Sequence, residues 1–243
     1  VRKDRNIDKP ADLVGRKMGV PEYQQTAALW TRGYLQHEYG IFPRDMEFWM
    51  ERNDDHSQGA AMGFKPPADV KLNFIPNDTN MGEMLLQGKL DGALRYLAGT
   101  DNLVDRSNVD LYRHPDFKTL FPDPHAEGVR FYQKTGIYPI NHCMVIRREI
   151  AEKHPWTILN IFKAFQRANE IAEKQRMEAV GYHLETGLLP PDARKALATP
   201  LIRHGIAANR KVLETTAQYS HEQGLTPRLV GIDELFAPSV MEQ

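Results

Sequence analysis

The sequence predicts an α/β fold with an open, largely parallel sheet, and two observations support this prediction. The first is the order strand, helix, strand, helix, strand between residues 17 and 94, because strands joined through helices run parallel in one sheet. The second is that residues 150–243 show helical periodicity with almost no strand pattern. Such helices need a sheet to cover, so they belong to an α/β protein rather than to a separate bundle.

The composition describes an ordinary soluble globular protein of 243 residues, with 41% hydrophobic residues, 26% charged residues and a net charge of −1. The 31 basic residues are matched by 32 acidic ones without a basic run, so no nucleic-acid partner is expected. No apolar run is long enough to cross a bilayer, and no secretory signal is visible, which favours a cytoplasmic protein. Cys143 is the single cysteine, which excludes an internal disulfide. Self-association is left open.

The stretch 17–30 predicts a short strand at 17–20, ended by Pro21, and a helix that opens near Gln24 or Gln25. The first N–H groups of a helix are unpaired and partly positive, so they can hold a carboxylate or a phosphate. The turn adds polar side chains and an aromatic ring, and the binding residues predicted here are Tyr23, Gln24, Gln25 and Thr26. The alternative is that these polar groups only cap a surface helix.

Local signals define the other elements before residue 140. Strands are predicted at the end of 40–49, at 70–75 and at 90–94. A short helix is predicted at 6–15, with Asp8 as cap, and a longer one at 126–134. Another is predicted at 80–88, with Asn80 as cap and Glu83 completing a capping box. The helix at 80–88 is expected to bury one face, which consists of Met81, Met84 and Leu85.

Residues 51–67 contain clustered Gly, Pro, Asn and Asp and predict a long irregular loop. Asp54, Asp55 and His56 within it raise the hypothesis of a metal ion. Adjacent residues seldom converge on one ion, however, and no helical His pair accompanies them. No metal site is therefore predicted.

Arg95 and Tyr96 directly follow the strand predicted at 90–94. Ligands of open α/β sheets bind beyond the carboxyl ends of the strands, where an arginine can hold a carboxylate through two hydrogen bonds. A surface salt bridge is the alternative for Arg95.

The apolar run from Ile140 to Ile146 predicts a strand, with Tyr138, Asn141 and His142 at its entry. A histidine in this position is either a catalytic group or a satisfied core or hinge residue, and the spacing leaves both open. Cys143 lacks a second thiol and is expected to be a small buried residue.

Helices are expected after residue 149, at 156–172, 178–185, 191–198 and 207–223. Ile158, Phe162, Phe165 and Ala168 are predicted to form the inner stripe of the first. We expect the sheet that these helices cover to lie in an N-terminal part that this numbering omits, because Val1 begins as though inside a strand.

Several stretches together resemble one known family. The most specific are Gly19-Val20-Pro21-Glu22-Tyr23-Gln24 and Gly136-Ile137-Tyr138-Pro139-Ile140-Asn141-His142. Supporting stretches lie at 87–93, at 147–156, at 222–226 and at 234–236. These segments resemble the 4,5-dihydroxyphthalate decarboxylase family, a branch of the type II periplasmic-binding-protein superfamily.

The resemblance implies two α/β lobes that are joined by hinge strands and hold the ligand between them. On this map, residues 1–7 form a hinge strand, 8–140 the second lobe, 141–149 the return hinge strand and 150–243 the helical part of the first lobe. The opening sheet of the first lobe is missing from this numbering.

The implied activity is decarboxylation of 4,5-dihydroxyphthalate to 3,4-dihydroxybenzoate and CO2 without a cofactor. His142 is the first candidate for proton transfer, and Glu22 is the second. The helix start at 24–26 and Arg95 are expected to bind the two substrate carboxylates. Tyr23 and Tyr138 are expected to contact the two faces of the substrate ring. Tyr96 and Asn141 complete the predicted set of binding residues.

The rival hypothesis is a solute-binding protein of the same fold, which captures a small aromatic or heterocyclic carboxylate for a transporter and performs no chemistry. The same carboxylate-binding residues would serve it. In that case the protein is expected in the periplasm.

Overall fold

The computed structural model describes residues 1–53, 57, 64–96, 106–198 and 203–243. The metal hypothesis at Asp54, Asp55 and His56 lies outside these residues. The chain forms two compact units. The first consists of Val1–Asn141 and Thr216–Leu229, and the second of His142–Thr215 and Val230–Gln243.

A four-stranded parallel sheet organises the first unit. Its strands are β1 (Lys17–Val20), β2 (Glu47–Met50), β3 (Lys71–Phe74) and β4 (Gly92–Ala93), in the order β3-β2-β1-β4. All three pairings are parallel, which confirms the predicted sheet. Val20, Phe48 and Met50 are buried in the core beneath it. Because the strands are parallel, their carboxyl ends share one edge.

Helices α1 (Thr26–Tyr39) and α2 (Met81–Leu86) connect these strands. The predicted cap of α2 is confirmed, since Asn80 Oδ1 accepts the Glu83 N–H at 2.9 Å. Its predicted inner face is confirmed as well, because Met81, Met84 and Leu85 are all buried. Arg2 donates to the Leu86 carbonyl oxygen at 3.1 Å, a basic group at the carbonyl end of the helix.

The amino-terminal residues contain short turns rather than long elements. Arg2 forms an antiparallel bridge with Phe117, and 3-10 turns follow at Lys3–Arg5 and Pro10–Leu13. The expectation that Asp8 caps the second turn is wrong. The cap acid is Asp12, whose carboxylate accepts the N–H groups of Asp8 at 2.9 Å and Lys9 at 3.1 Å. An acid at the third position of a turn can reach back in this way.

Helix α3 (Pro124–Thr135) is capped by Asp123, whose Oδ1 accepts the Ala126 N–H at 2.9 Å. Glu127 on α3 accepts hydrogen bonds from the hydroxyls of Tyr34 and Tyr39 on α1, the latter at 2.7 Å. The Arg130 guanidinium lies 2.6 Å from the same carboxylate. Together these donors lower the pKa of Glu127 to about 2, and the hydrogen bond from Arg130 has the largest effect.

The second unit is helical in the part that the structure describes. Its helices are α4 (Arg148–Lys153), α5 (Trp156–Glu185), α6 (Pro191–Ala198), α7 (Ile206–Glu222), whose carboxyl end belongs to the first unit, and α8 (Ile232–Leu235). α6 and α7 confirm the predicted helices to within one residue. The predicted separation of two helices at 156–172 and 178–185 is wrong, because α5 continues through residues 173–177. These residues are helix formers without Gly or Pro. Within the described residues no helix has the length and hydropathy to cross a membrane.

The predicted strand at 140–146 is wrong. The described backbone of this segment has no strand, and Met144 and Val145 are 65% and 85% exposed. Cys143, expected to be buried, is exposed. The predicted inner stripe of α5 is likewise not buried, and Phe165 on it is 42% exposed. A strand needs a neighbour to pair with and a stripe needs a surface to cover, and the described residues supply neither here.

Helix α1 makes a close contact with the carboxyl end of α7. The Tyr219 ring packs against Gly33, where a Cβ atom would overlap the ring, and lies edge-on to Trp30 with ring centroids 5.5 Å apart. Gly33 therefore sets the distance between the two segments.

We expect Gly33→Ala to lower the free energy of unfolding by about 1–3 kcal/mol, because overpacking at Tyr219 outweighs the gain in helix propensity. Urea denaturation measures this change. Gly128→Ala on α3 is the matched control, since a Cβ atom there meets open space, and it should stabilise by about 0.5–1 kcal/mol. Equal effects of the two substitutions would contradict the close contact.

We also expect Glu127 to stabilise the fold in a pH-dependent way. Its folded-state pKa of about 2 lies below its ordinary value of 4.5, so its contribution is complete above pH 4.5 and is lost as the pH falls through about 2. Glu127→Gln should therefore be less stable than wild type at pH 7, and the difference should shrink between pH 4.5 and 2. Thermal unfolding of both proteins across this range measures it, and a constant difference would refute the assignment.

Candidate functional site

A buried ion pair lies beyond the carboxyl ends of β1 and β2. Glu22 follows Pro21 after β1, and Arg52 lies two residues after β2; they are only 2% and 5% exposed. Arg52 Nη1 lies 3.1 Å from Glu22 Oε2. Neighbouring parallel strands end at the same edge, which brings the two side chains together although thirty positions separate them.

Two further donors hold the second oxygen of Glu22. Ser57 Oγ donates to Oε1 at 2.6 Å and Gln24 Nε2 donates to the same atom at 2.8 Å. Gln24 Nε2 also lies 3.2 Å from Ser57 Oγ. The Glu22 carboxylate is therefore the acceptor of one guanidinium contact and two hydrogen bonds. We call Glu22, Gln24, Arg52 and Ser57 the Glu22 cluster.

The two helices at this edge differ in how their first turns are satisfied. At α2 the protein supplies its own anion, since Glu51 Oε1 accepts the Met81 N–H at 3.2 Å and lies 3.3 Å from Ser107 Oγ. At α1 the cap residue, Gln25, makes no capping hydrogen bond with its side chain. Gln24 Oε1 and Gln25 Oε1 are buried without a hydrogen-bond donor among the described residues. Among the described residues, α1 therefore differs from α2 in having no side-chain cap at its start.

Tyr23 lies beside this turn, but its side chain is fully buried. Its ring stacks on Phe64 with centroids 5.7 Å apart and meets Phe48 edge-on at 5.4 Å. Arg32 covers the ring at 3.7 Å from its centroid. Burial raises the pKa of the Tyr23 hydroxyl. Tyr23 is thus part of the core of the first unit.

Arg95 and Tyr96, which follow β4, have different surroundings. Arg95 is exposed, whereas Tyr96 is buried and donates its hydroxyl to the Val109 carbonyl oxygen at 2.8 Å. Burial raises the pKa of the Tyr96 hydroxyl. This hydroxyl serves a backbone contact.

The segment that contains Tyr138 and Asn141 is attached to α1. Trp30 Nε1, one turn after the start of that helix, donates to the Ile140 carbonyl oxygen at 2.9 Å. Tyr138 is 46% exposed, and Asn141 is exposed. His142 is exposed and begins the second unit.

The structure thus brings Glu22, Gln24, Gln25 and Thr26 together at one turn. Sequence reasoning missed Arg52 and Ser57, which lie in the segment predicted to be only a loop. A signal for Arg52 was available, since it follows a strand at the sheet edge as Arg95 does. Among the residues that the structure describes, no group of three His, Cys, Asp or Glu side chains has the geometry of a metal site.

Comparison with known proteins gives two relatives of the same name. The chain is 30% identical over 245 residues to 4,5-dihydroxyphthalate decarboxylase of Comamonas testosteroni, an alignment that covers 100% of this chain and 72% of that protein. It is 29% identical over 133 residues to 4,5-dihydroxyphthalate decarboxylase of Pseudomonas putida, covering 55% of this chain and 48% of the relative. No protein-family model matches the chain.

We expect Glu22→Gln to lower the free energy of unfolding by about 3–5 kcal/mol, because it leaves the buried Arg52 charge without its carboxylate. The double variant Glu22→Gln/Arg52→Met should recover most of this loss. Urea denaturation of the three proteins gives the coupling energy. Asp110→Asn, which removes the carboxylate of an exposed ion pair in the same unit, is the control and should change stability little. Additive effects at Glu22 and Arg52 would contradict the pair.

Proposed function

The chain belongs to the 4,5-dihydroxyphthalate decarboxylase family, and on that basis we propose that it decarboxylates 4,5-dihydroxyphthalate to 3,4-dihydroxybenzoate and CO2 without a cofactor. The alignment over the whole chain is the observation that carries this proposal. The Glu22 cluster supports it, because a cation, an acceptor and an uncapped helix start lie at one sheet edge. These are groups that a hydroxylated dicarboxylate requires.

The reaction needs two proton movements. Each carboxylate of 4,5-dihydroxyphthalate is para to a hydroxyl, so loss of the phenolic proton raises the electron density on the carbon that holds the carboxylate. That carbon accepts a proton and forms a C–H bond. The bond to the carboxylate then breaks, CO2 leaves and its electron pair restores the aromatic ring. The site must therefore accept a proton from oxygen and deliver one to carbon.

Glu22 suits the first movement. It is a buried hydrogen-bond acceptor whose two oxygens are both held in place by neighbouring donors. We propose it as the group that polarises the hydroxyl. This role replaces that of proton donor, for which an ion-paired carboxylate is poorly suited.

His142 remains the proposed donor to the ring carbon, because imidazole is the side chain that gains and loses a proton near neutral pH. Tyr138 and Asn141, which precede it, are proposed to contact the ring and its hydroxyls. Their exposure supports a role in contacting a ligand.

The two carboxylates are assigned to cationic and partly positive groups. One is proposed to bind at the start of α1, through Gln24, Gln25 and Thr26. The other is proposed to bind Arg52, with Arg95 as a further cation at the same edge. The closed packing of Tyr23 favours a supporting role for it rather than contact with the ring.

The proposal retains the two-lobed fold that the resemblance implies. The parallel sheet of the first unit would be that of the second lobe. Helices after residue 149 would contribute to the other lobe.

The first test is incubation of the full-length protein with 4,5-dihydroxyphthalate, following CO2 and the loss of one carboxylate by mass spectrometry, with heat-killed protein as the blank. We expect turnover, with kcat lowered about 100-fold or more by Glu22→Gln and by His142→Ala, as is usual when a general base or acid is removed. His154→Ala, another exposed histidine of the second unit, is the matched control and should keep full activity.

A different outcome identifies the rival function. Absence of CO2, together with a melting temperature raised by the same compound, would show a solute-binding protein that recognises the dicarboxylate without catalysis. Full activity of His142→Ala would remove that residue from the role of acid.

A further inference from the structure

A fully buried arginine lies behind the candidate site. Arg32, on α1, donates from Nη2 to the Tyr23 carbonyl oxygen at 2.6 Å and from Nε to Gln223 Oε1 at 2.8 Å. Gln223, which directly follows α7, donates in turn to the Leu29 carbonyl oxygen at 3.0 Å. The guanidinium therefore joins the turn before α1 to a residue 191 positions away.

The structure shows no acid beside this guanidinium among the residues that it describes. Among the described residues, no carboxylate lies within ion-pair distance of Arg32, and its Nη1 has no hydrogen-bond acceptor. Two carbonyl oxygens and the face of the Tyr23 ring stabilise it instead. Burial lowers its pKa to about 10, so it remains charged at neutral pH.

Stability alone gives little reason for this arrangement. Taking a cation out of water is costly, and replacing buried charges by apolar side chains of similar volume is often neutral or stabilising. What an apolar side chain could not provide are the hydrogen bonds to the Tyr23 carbonyl and to Gln223. Arg32 therefore ties the turn to Gln223.

That carbonyl belongs to the peptide bond between Tyr23 and Gln24. Its orientation decides where the next side chain points, and Gln24 Nε2 reaches Glu22 Oε1 at 2.8 Å. Glu22 and Gln24, one on each side of Tyr23, both belong to the Glu22 cluster. A rotation of this peptide would move them relative to Arg52.

We propose that Arg32 is a positioning residue of the candidate site, which with Gln223 holds the turn at 21–25 so that Glu22 and Gln24 meet Arg52 and Ser57. Arg32 touches no reacting group, and its effect passes through the backbone of Tyr23. The catalytic consequence rests on the proposed function, whereas the structural consequence does not.

The test measures the turn and the reaction separately. Hydrogen exchange followed by mass spectrometry should show amides 22–26 exchanging at least tenfold faster in Arg32→Met than in wild type, with those of β1 unchanged. In the decarboxylase assay kcat should fall at least tenfold, since a small displacement of a catalytic group is costly. KM should rise as well, because Gln24, which is proposed to bind one carboxylate, lies in the same turn. Arg32→Lys, which keeps the charge but has one donor group, should be intermediate.

His37→Ala is the matched control. His37 Nε2 lies 2.6 Å from Glu222 Oε2, so this substitution removes another contact between α1 and the end of α7 without touching the turn. It should leave both the exchange of amides 22–26 and kcat unchanged. If Arg32→Met does not fold, Gln223→Met and Arg32→Lys test the same contacts and should change exchange in the same direction.

The outcomes separate this inference from the proposed function. Unchanged exchange at 22–26 in the Arg32 variants would overturn the positioning role whatever the activity. Wild-type protein without turnover would overturn the proposed function, while the exchange result would still decide the role of Arg32. A fall in kcat of equal size in His37→Ala would show a general effect of the contact between α1 and α7, and would also overturn it.

Discussion

The parallel register between β1 and β2 is the constraint on which the candidate site depends. Val20 is paired with Met50, and the ladder continues beyond both strands, because the Arg52 N–H donates to the Pro21 carbonyl oxygen at 3.0 Å. Glu22 and Arg52 are each two residues past this pair, so the register sets them opposite each other. A shift by one residue would turn one of the two side chains to the other face of the sheet. The core positions of β2 hold the register, since Phe48 and Met50 are buried.

The two helices that begin at this edge of the sheet differ in whether a carboxylate of the protein contacts their first turn. Glu51 occupies the start of α2, and Glu22 balances Arg52. In the part of the chain that the structure describes, the first turn of α1 has no acidic residue, and Gln25 makes no side-chain cap hydrogen bond. In the function proposed above, a substrate carboxylate would supply negative charge at this helix start. Glu22 pairs with Arg52 and also accepts a hydrogen bond from Ser57. Glu51 likewise contacts both the start of α2 and Ser107.

The site also depends on the chain far beyond the sheet. The segment 216–229 packs into the first unit, where Tyr219 meets Gly33 and Gln223 bonds to Arg32. Tyr23 lies between Arg32 and Phe48 and so connects this support to the core. The turn that presents Glu22 is therefore held from behind by residues near the carboxyl terminus.

The sequence by itself determined the features that arise from short-range interactions. The four strands, the Asn80 cap, the buried face of α2 and the helix at 191–198 follow from apolar spacing and capping groups within a few residues, and the structure has them. The grouping of Glu22 with Gln24 and Gln25 follows in the same way from one turn. Only the tertiary structure decided what neighbours supply: the pairing of Glu22 with Arg52, the burial of Tyr23 and the contact of Arg32 with Gln223. The segment 140–146 shows the same limit, since its apolar side chains satisfy the pattern of a strand, but a strand exists only where another strand accepts its backbone hydrogen bonds.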